Sequence, residues 1–434
     1  MCYRLHFETT LEVVISSEMI SRLSEKEWSR EIFVALNIEI PRSCPEGARF
    51  SVSAEKLRSE CQCNWNFEVG LKVTMSRRVL CAMSGGVDSS VAAALLVEQG
   101  YEVIGVTMKL WKGEDDPFAA HRFGGCCTLG SSEDARRVSD QVGIPYYVLN
   151  LQEEFHQAVV DDFVAEYARG RTPNPCARCN EFIKFKAFLD RADELDCDFI
   201  ATGHYAQIEQ VNDARGERFA LRRGVDHRKD QSYVLGMLTQ RELSRTLLPI
   251  GHMEKSETRE RAAELGFCVA AKPDSQEICF VEDGDYARFV IERAPQMAQT
   301  GPIFDESGQK IGEHSGLARY TVGQRKGLGI SAPVPLFVTQ IDAAQNALVV
   351  GPRQELDRND LSAEKARWTF DVPQVGLEVQ AQTRAHARPW AATLESATHE
   401  DFSLRFHEAQ SGVTPGQMCV LYAGDEVLGA GTIN

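Results

Sequence analysis

Short apolar runs alternate with amphipathic stretches between residues 77 and about 280. The runs that predict strands are residues 79–83, 103–108, 146–149 and 199–202, and the stretches that predict helices are residues 87–99, 132–142 and 153–169. Strands that are apolar throughout and separated by helices are typical of a parallel sheet with both faces covered. The pattern therefore predicts an α/β domain with a doubly wound parallel sheet over residues 75–283.

The pattern changes after residue 284. Short strands separated by Gly, Asp and Pro turns predict a small central, mostly-β domain over residues 284–360. Further short strands predict a C-terminal β-barrel over residues 361–434, and these strands are residues 393–395, 402–406, 418–422 and 427–433.

The first 74 residues show little sustained periodicity. They are followed by Met75-Ser-Arg-Arg-Val-Leu, which resembles the start of a protein. We expect residues 1–74 to be either a lineage-specific extension or an upstream stretch outside the functional protein.

The composition excludes several classes of protein. Of the 434 residues, 43% are hydrophobic and 25% are charged, as in ordinary soluble globular proteins. No uninterrupted apolar run approaches the roughly 20 residues that span a bilayer, so we expect no membrane association. Thirteen cysteines in a chain of this length, without a signal peptide, predict thiols and a cytoplasmic location.

The net charge of −16 argues against nonspecific binding of nucleic acid, which needs clustered Lys and Arg. A basic strip nevertheless lies in one short stretch, formed by Arg169, Arg171, Arg178, Lys184, Lys186 and Arg191. Both a local nucleic-acid surface and a solvated helix face are consistent with this strip.

Residues 84–90 read Ser-Gly-Gly-Val-Asp-Ser-Ser, between a predicted strand and a predicted helix. Glycines let the backbone approach an anion, serine hydroxyls donate to phosphate oxygens, and the helix directs its positive end to the same place. The Gly-Lys-Ser/Thr of a Walker A loop is absent, and Asp88 is available to hold Mg²⁺. The motif resembles the ATP-pyrophosphatase superfamily, whose members cleave ATP between the α and β phosphates and adenylate an oxygen of a substrate.

Two cysteine segments suggest chemistry rather than packing: Arg171-Thr-Pro-Asn-Pro-Cys176-Ala-Arg-Cys179-Asn180 and Asp274-Ser-Gln-Glu-Ile-Cys279. A helix N-terminus and the neighbouring Arg178 favour the reactive thiolate of Cys179. One hypothesis is structural zinc, although a second ligand pair is absent. The others are an iron–sulfur cluster on Cys176, Cys179 and Cys279, and redox sulfur transfer between Cys179 and Cys279.

Several motifs, in this order, resemble the tRNA-specific 2-thiouridylase family. They are the phosphate loop, Arg-Thr-Pro-Asn-Pro with Cys179-Asn180, Ala201-Thr-Gly-His-Tyr205, Lys229-Asp-Gln-Ser-Tyr233, Ile278-Cys279-Phe280 and Tyr320-Thr-Val-Gly-Gln-Arg-Lys-Gly-Leu-Gly329. The resemblance covers residue 77 to the C-terminus. It implies an adenine nucleotide α-hydrolase-like catalytic domain and ATP-dependent 2-thiolation of the wobble uridine (position 34) in tRNAs for Lys, Glu and Gln.

The resemblance also implies roles for individual residues. Cys279 would carry the sulfur as a persulfide, and Cys179 would be the nucleophile that closes the cycle with a Cys179–Cys279 disulfide. The residues implied to bind ATP are Ala82, Met83, Ser84, Gly85, Gly86, Val87, Asp88, Ser89, Met108 and Gly203. The residues implied to contact tRNA are Asn174, Pro175 and Cys176 at the target base, and His204, Lys229, Asp230, Gln231, Arg384 and Gln417 elsewhere.

The implied partners are the anticodon stem-loop of tRNA and a cysteine desulfurase or sulfur-relay protein as donor. The chain departs from the family pattern at Cys176, where some relatives carry an Asp proposed for acid/base work, so no general base is assigned. Thr383-Arg384-Ala385-His386 also departs from the pattern, which leaves Arg384 as the tRNA contact there. The alternatives are another adenylating tRNA-modifying enzyme of the superfamily and an iron–sulfur-dependent tRNA thiolase.

Overall fold

The computed structural model describes residues 77–111, 129–274, 278–281, 284–385 and 387–434, together with four short strands within residues 1–76. The chain divides into two units, residues 1–76 and 77–434. In the first unit, Cys2–His6 (β1) pairs with Glu12–Ser16 (β2), and Arg49–Val52 (β3) pairs with Val69–Lys72 (β4), both antiparallel.

The second unit begins with a five-stranded sheet in which every pair of strands is parallel. Its strands are Arg78–Ala82 (β5), Glu102–Lys109 (β6), Tyr146–Asn150 (β7), Phe199–Ala201 (β8) and Thr246–Leu247 (β11), in the order β11-β8-β5-β6-β7. Alternate residues of the central strand enter different hydrophobic clusters, with Leu80 in one and Val79 and Cys81 in another. Both faces of the sheet are therefore covered, which confirms the predicted doubly wound fold.

The predicted helices of this domain are confirmed. They are Val87–Glu98 (α1), Leu129–Val142 (α2) and a long helical stretch made of Gln152–Phe155, π-helical His156–Val160 and Asp161–Ala168. The next helical stretch comprises Pro175–Arg178, π-helical Cys179–Ala187 and Phe188–Glu194, and two shorter helices follow at Gln240–Leu243 and Lys255–Glu264. Short π-helical insertions occur frequently at functional sites, and here one begins at Cys179.

The central domain begins with the helix Tyr286–Arg293 and contains a four-stranded sheet. The strands are Gly301–Phe304 (β12), Lys310–His314 (β13), Phe337–Asp342 (β14) and Ala347–Gly351 (β15), in the order β13-β12-β15-β14. Single 3-10 turns lie at Ser232–Leu235, Pro295–Ala298, Leu317–Arg319 and Arg353–Leu356.

The C-terminal strands close into a barrel. They are Asp357–Trp368 (β16), Glu378–Gln382 (β17), Trp390–Ala397 (β18), Asp401–Ser411 (β19), Met418–Ala423 (β20) and Glu426–Ile433 (β21). The order is β16-β19-β18-β17-β20-β21, and β21 pairs back with β16, so the predicted β-barrel is confirmed.

A hairpin of the catalytic domain extends this barrel. Its strands Ala206–Asp213 (β9) and Gly216–Arg223 (β10) are antiparallel, and β10 joins β21 through the pair Arg222 and Glu426. The sequence pattern predicted neither this hairpin nor β16. Strand prediction depends on alternating apolar and polar positions. In β16 most exposed positions are charged and the first four residues are all exposed, so the alternation is weak in the sequence.

Within the part of the chain that the structure describes, no helix combines the length and the apolar character needed to cross a membrane.

Candidate active site

The phosphate loop connects β5 to α1 and is ordered by its own serines. The Ser84 amide donates to Ser89 Oγ at 3.1 Å, and Ser90 Oγ donates to the Gly86 carbonyl at 2.8 Å. Gly85 has φ +67°, and a Cβ there would lie 2.1 Å from the Ser131 carbonyl oxygen. Only glycine fits at Gly85, which leaves the loop backbone open to an anion at the N-terminus of the 12-residue helix α1.

The end of β8 lies directly against this loop. A Cβ at Gly203 would be 2.6 Å from the Ser89 amide nitrogen. On the other side, the Met83 amide donates to the Val106 carbonyl at 2.7 Å, and the buried Met108 follows in the same strand. The residues predicted to bind ATP are thus brought together at the carboxyl ends of neighbouring parallel strands, where such folds bind ligands.

Two lysines from distant parts of the chain reach the phosphate loop. Lys255 Nζ, on a side chain that is only 11% exposed, lies 2.7 Å from Asp88 Oδ1. Lys272 Nζ donates to the Gly85 carbonyl and to Asp134, each at 2.9 Å. The loop has no lysine of its own, and the sequence motif did not predict these two because they follow it by more than 160 residues.

Asp274, the first residue of the second cysteine segment, belongs to this cluster. Its carboxylate accepts from Lys229 at 2.8 Å, Lys255 at 2.8 Å and Arg259 at 3.0 Å. Burial opposes ionisation of Asp274, but the hydrogen bonds from Lys229 and Lys255 outweigh it and lower its pKa to about 2. The carboxylates of Asp88 and Asp274 face three cations in all, so the cluster has a surplus of positive charge that suits an anion.

Tyr205 donates its hydroxyl proton to Asp88 Oδ1 at 2.8 Å. Burial and the charge of Asp88 raise the pKa of Tyr205, so the phenol stays protonated and acts as a donor. Asp88 is therefore held in place by a neutral donor and by the Lys255 ammonium group.

The first cysteine segment forms the start of a helix. Asn174 Oδ1 accepts from the Ala177 amide at 3.1 Å as N-cap, and Pro175 occupies the first helical position. Cys176 is exposed, whereas Cys179 is only 7% exposed.

The second cysteine, Cys279, is exposed. Its neighbour Phe280 is buried, with ring centroids 5.6 Å from Phe155 and 5.3 Å from Phe163. Phe280 and Cys179 belong to one hydrophobic cluster, so the two cysteine segments are anchored in the same core.

A metal centre built from these cysteines is not assembled. Among the described residues, no group of three or more His, Cys, Asp or Glu side chains is placed to hold a metal ion. The zinc and iron–sulfur hypotheses therefore lack a ligand set here, including the trio Cys176, Cys179 and Cys279.

The residues that the family pattern assigns to tRNA also have partners within the chain. His204 is 8% exposed and bonds Thr202 Oγ1 through Nδ1 at 2.7 Å. Burial, and then the charge of Lys184, hold its pKa well below the ordinary range, so the ring is neutral. Gln231 Oε1 accepts from the Tyr205 amide at 2.9 Å.

Asp230 accepts from Arg223 at 2.9 Å and from the Gly224 amide at 3.0 Å. In the barrel, Arg384 is exposed and donates to the Gly412 carbonyl at 2.8 Å, while His386 lies outside the described residues. Gln417 Nε2 donates to the Thr172 carbonyl at 2.8 Å. Contact of these residues with tRNA stays a prediction.

The arginines of the basic strip are paired with carboxylates. The pairs are Arg169–Glu166, Arg171–Glu364, Arg178–Glu181 and Arg191–Glu194. This pairing offsets much of the local positive charge and favours a structural role for these four side chains.

Three family models match consecutive parts of the chain. They are described as the tRNA methyl transferase HUP domain over residues 77–283, the tRNA methyl transferase PRC-barrel domain over 287–352 and the aminomethyltransferase beta-barrel domain over 358–433.

Full-length relatives carry a more specific name, tRNA-specific 2-thiouridylase MnmA. The relative from Symbiobacterium thermophilum is 51% identical over 364 residues, which cover 83% of this chain and 92% of the relative. The relative from Natranaerobius thermophilus is 48% identical, with coverages of 83% and 98%, and that from Clostridioides difficile is 47% identical, also with coverages of 83% and 98%.

Proposed function

Because the chain belongs to the tRNA-specific 2-thiouridylase family, whose members transfer sulfur to a uridine of tRNA, we propose that it converts the wobble uridine of tRNAs for Lys, Glu and Gln into 2-thiouridine with ATP. One observation supports this proposal above the others. The phosphate loop and the segment leading to Cys279 meet in one ionic cluster, in which Lys255 contacts both Asp88 and Asp274. The proposed ATP site and the first residue of the segment that carries Cys279 are thus joined by one ammonium group.

The first step is activation of the base. The 2-oxygen of uracil is a poor leaving group, so it attacks the α-phosphate of ATP, and pyrophosphate departs. The loop amides, the start of α1, Lys255 and Lys272 stabilise the negative charge of the phosphates. Asp88 provides the carboxylate that would hold Mg²⁺ together with phosphate oxygens, and the bound ion would add positive charge there.

The second step is sulfur transfer. The terminal sulfur of a persulfide on Cys279 attacks C2 of the base, and AMP leaves with the former 2-oxygen. Cys179 attacks the sulfur of Cys279, so that the persulfide bond breaks, a Cys179–Cys279 disulfide forms and the transferred sulfur stays on C2. One proton of the persulfide and one of the Cys179 thiol are released, and an external thiol reductant restores the pair.

The base has to leave the anticodon stack before either step, as in other enzymes that modify bases. The sulfur itself would come from a cysteine desulfurase or a relay protein that delivers it to Cys279, whose exposure suits such a handover. We place the protein in the cytoplasm, where unmodified tRNA and these donors occur.

The test is a reconstituted reaction. Purified protein is incubated with ATP, Mg²⁺, a cysteine desulfurase with cysteine as sulfur source, and unmodified tRNA for Lys, and nucleosides are analysed by mass spectrometry. We expect 2-thiouridine from the wild type, none from Cys179→Ala or Cys279→Ser, and pyrophosphate release still measurable for Cys279→Ser.

The matched control is Cys268→Ser, which removes another exposed cysteine outside both segments and should leave product formation unchanged. Pyrophosphate release without 2-thiouridine from the wild type would show that the same adenylating site acts on a different substrate.

A further inference from the structure

The loop that carries the predicted target-base residues is held by the C-terminal barrel. We call residues 171–176 the target-base loop. The Thr172 amide donates to the Pro415 carbonyl at 2.8 Å. A Cβ at Gly416, which has φ +87°, would lie 2.9 Å from Thr172 N and 3.0 Å from Arg171 Cβ. The two backbones therefore pass at a distance that glycine alone permits.

Gln417 adds a side-chain clamp to this contact. Its Nε2 donates to the carbonyls of Thr172 at 2.8 Å and Pro173 at 3.3 Å. These carbonyls immediately precede Asn174, which caps the helix that carries Cys176 and Cys179. The amide nitrogen of Gln417 is thus engaged by the loop itself.

Arg171 ties the first residue of the loop to the seam of the barrel, where β16 pairs with β21. Its side chain is 17% exposed, and its guanidinium reaches Glu166 at 3.0 Å and Glu364 at 2.9 Å. It also donates to the Ile433 carbonyl at 2.8 Å. Glu364 lies in β16 and Ile433 in β21, the two strands whose pairing closes the barrel.

We propose that Gln417 and Arg171 are positioning residues, through which the closed barrel sets the place of the target-base loop and so of Cys179. This inference rests on the proposed function, and it gives Gln417 a role other than the tRNA contact expected from the family pattern. A displacement of about 1 Å in a reacting group can lower a rate about 100-fold. The clamp on Thr172 and Pro173 directly precedes the N-cap Asn174, so its loss can shift Cys179 and lower the rate of sulfur transfer.

The experiment separates positioning from RNA binding. For Gln417→Leu we expect the single-turnover rate of 2-thiouridine formation at saturating tRNA to fall about 10- to 100-fold. The Kd for unmodified tRNA for Lys, measured by filter binding, should stay within about twofold of the wild type, because most of the residues that the family pattern assigns to tRNA lie outside the target-base loop. Gln417→Glu keeps the size of the side chain but loses the N–H donors, and we expect the same loss of rate.

Arg171→Lys is the second variant, in case Gln417→Leu fails to fold. It keeps the charge but loses the planar guanidinium group that reaches Glu364 and the Ile433 carbonyl together. We again expect a lower single-turnover rate with an unchanged Kd for tRNA.

The matched control is Gln240→Leu. Gln240 also joins the catalytic domain to the barrel region, since its Nε2 donates to the carbonyls of Phe219 at 2.8 Å and Thr369 at 2.6 Å, but neither lies in the target-base loop. Gln240→Leu should therefore form 2-thiouridine at the single-turnover rate of the wild type.

Two results would overturn the inference. One is a raised Kd with an unchanged saturating rate for Gln417→Leu, which would make Gln417 an RNA contact. The other is an equal loss of rate in Gln240→Leu, which would reflect general loosening of the domain junction. Absence of 2-thiouridine from the wild type would instead contradict the proposed function.

Discussion

The ammonium group of Lys255 lies between two carboxylates at the phosphate loop. It contacts Asp88 at 2.7 Å and Asp274 at 2.8 Å from the first turn of the helix Lys255–Glu264. A Walker A loop has its lysine within the motif, whereas here a helix more than 160 residues downstream supplies one. The positive charge that the loop sequence lacks is thus provided by the fold.

Replacement of this lysine should weaken nucleotide binding. Loss of one charge-assisted hydrogen bond costs about 1.5–3 kcal/mol, so we expect Lys255→Met to raise the Kd for ATP about 10- to 100-fold. Calorimetric titration with ATP and Mg²⁺ measures the change. Lys310→Met, which removes an exposed lysine of the central domain that pairs with Glu313, should bind like the wild type. Unchanged affinity in Lys255→Met would exclude Lys255 from the phosphate site.

Several residues assigned to tRNA by the family pattern stabilise the protein itself. His204 is buried and neutral, Asp230 accepts from Arg223, and Gln231 accepts from the Tyr205 amide. Their motifs were visible in the sequence, but the partners of Asp230 and Gln231 were not, because Arg223 lies in β10 and Tyr205 lies in another motif. If His204, Asp230 and Gln231 also contact tRNA, they do so in addition to making these contacts within the protein.

At the level of elements, the conformation of the phosphate loop depends on how closely the end of β8 approaches α1. Gly203 follows β8 and packs on the backbone of Asp88 and Ser89. The sequence predicted that Gly203 follows a strand. The structure shows why this residue is glycine, since a Cβ would collide with the backbone of Asp88 and Ser89. A side chain there would have to displace the first turn of the helix that follows the phosphate loop.

We therefore expect Gly203→Ala to disturb the loop. Its Cβ would lie 2.6 Å from Ser89 N and 2.7 Å from Asp88 C, and such overpacking costs about 1–3 kcal/mol. The Kd for ATP should rise about 10-fold or more, as measured by titration, and the melting temperature should fall.

The control for this substitution is Gly130→Ala, at a helical position with no atom within 4 Å of the new Cβ. Alanine is preferred over glycine in helices by about 0.5–1 kcal/mol, so this variant should keep its ATP affinity and be slightly more stable. If both variants bind ATP equally well, the close approach at Gly203 is not required.

For the whole molecule, the catalytic domain and the barrel share a sheet and are joined by a cation–π contact and a hydrogen bond. Arg223, at the end of β10, pairs with Asp230 at 2.9 Å and lies 3.6 Å from the centroid of the Tyr422 ring in β20. The hydroxyl of Tyr233 donates to the Met418 carbonyl of the same strand at 2.7 Å. The barrel is thus part of the scaffold of the catalytic domain.

Arg223→Ala should therefore destabilise the unit formed by residues 77–434. It would leave the Asp230 carboxylate, 7% exposed, without its cation, and breaking such a buried pair costs about 3–5 kcal/mol. Urea denaturation should show this loss. Arg241→Ala breaks an exposed pair with Asp190 and should cost less than about 1 kcal/mol. If the two variants lose a similar free energy of unfolding, Arg223 does not stabilise the protein more than an exposed ion pair does.

Local pattern was sufficient to predict the parallel sheet and its helices. Val79, Leu80 and Cys81 are buried on both faces of β5, so the strand is apolar at every position and visible without its neighbours. The phosphate loop could be predicted for the same reason, since its glycines, its serines and Asp88 are consecutive and their chemistry is local.

Contacts between distant segments became visible only after folding. The Asp88–Lys255–Asp274 cluster and the clamp of Gln417 on the target-base loop each join residues far apart in the chain. No local periodicity or motif encodes such a pair, because its energy comes from groups that meet only when strands, helices and barrel pack together. For that reason the sequence could indicate the reaction, while the cations at the phosphate site and the support of the target-base loop had to be found in the structure.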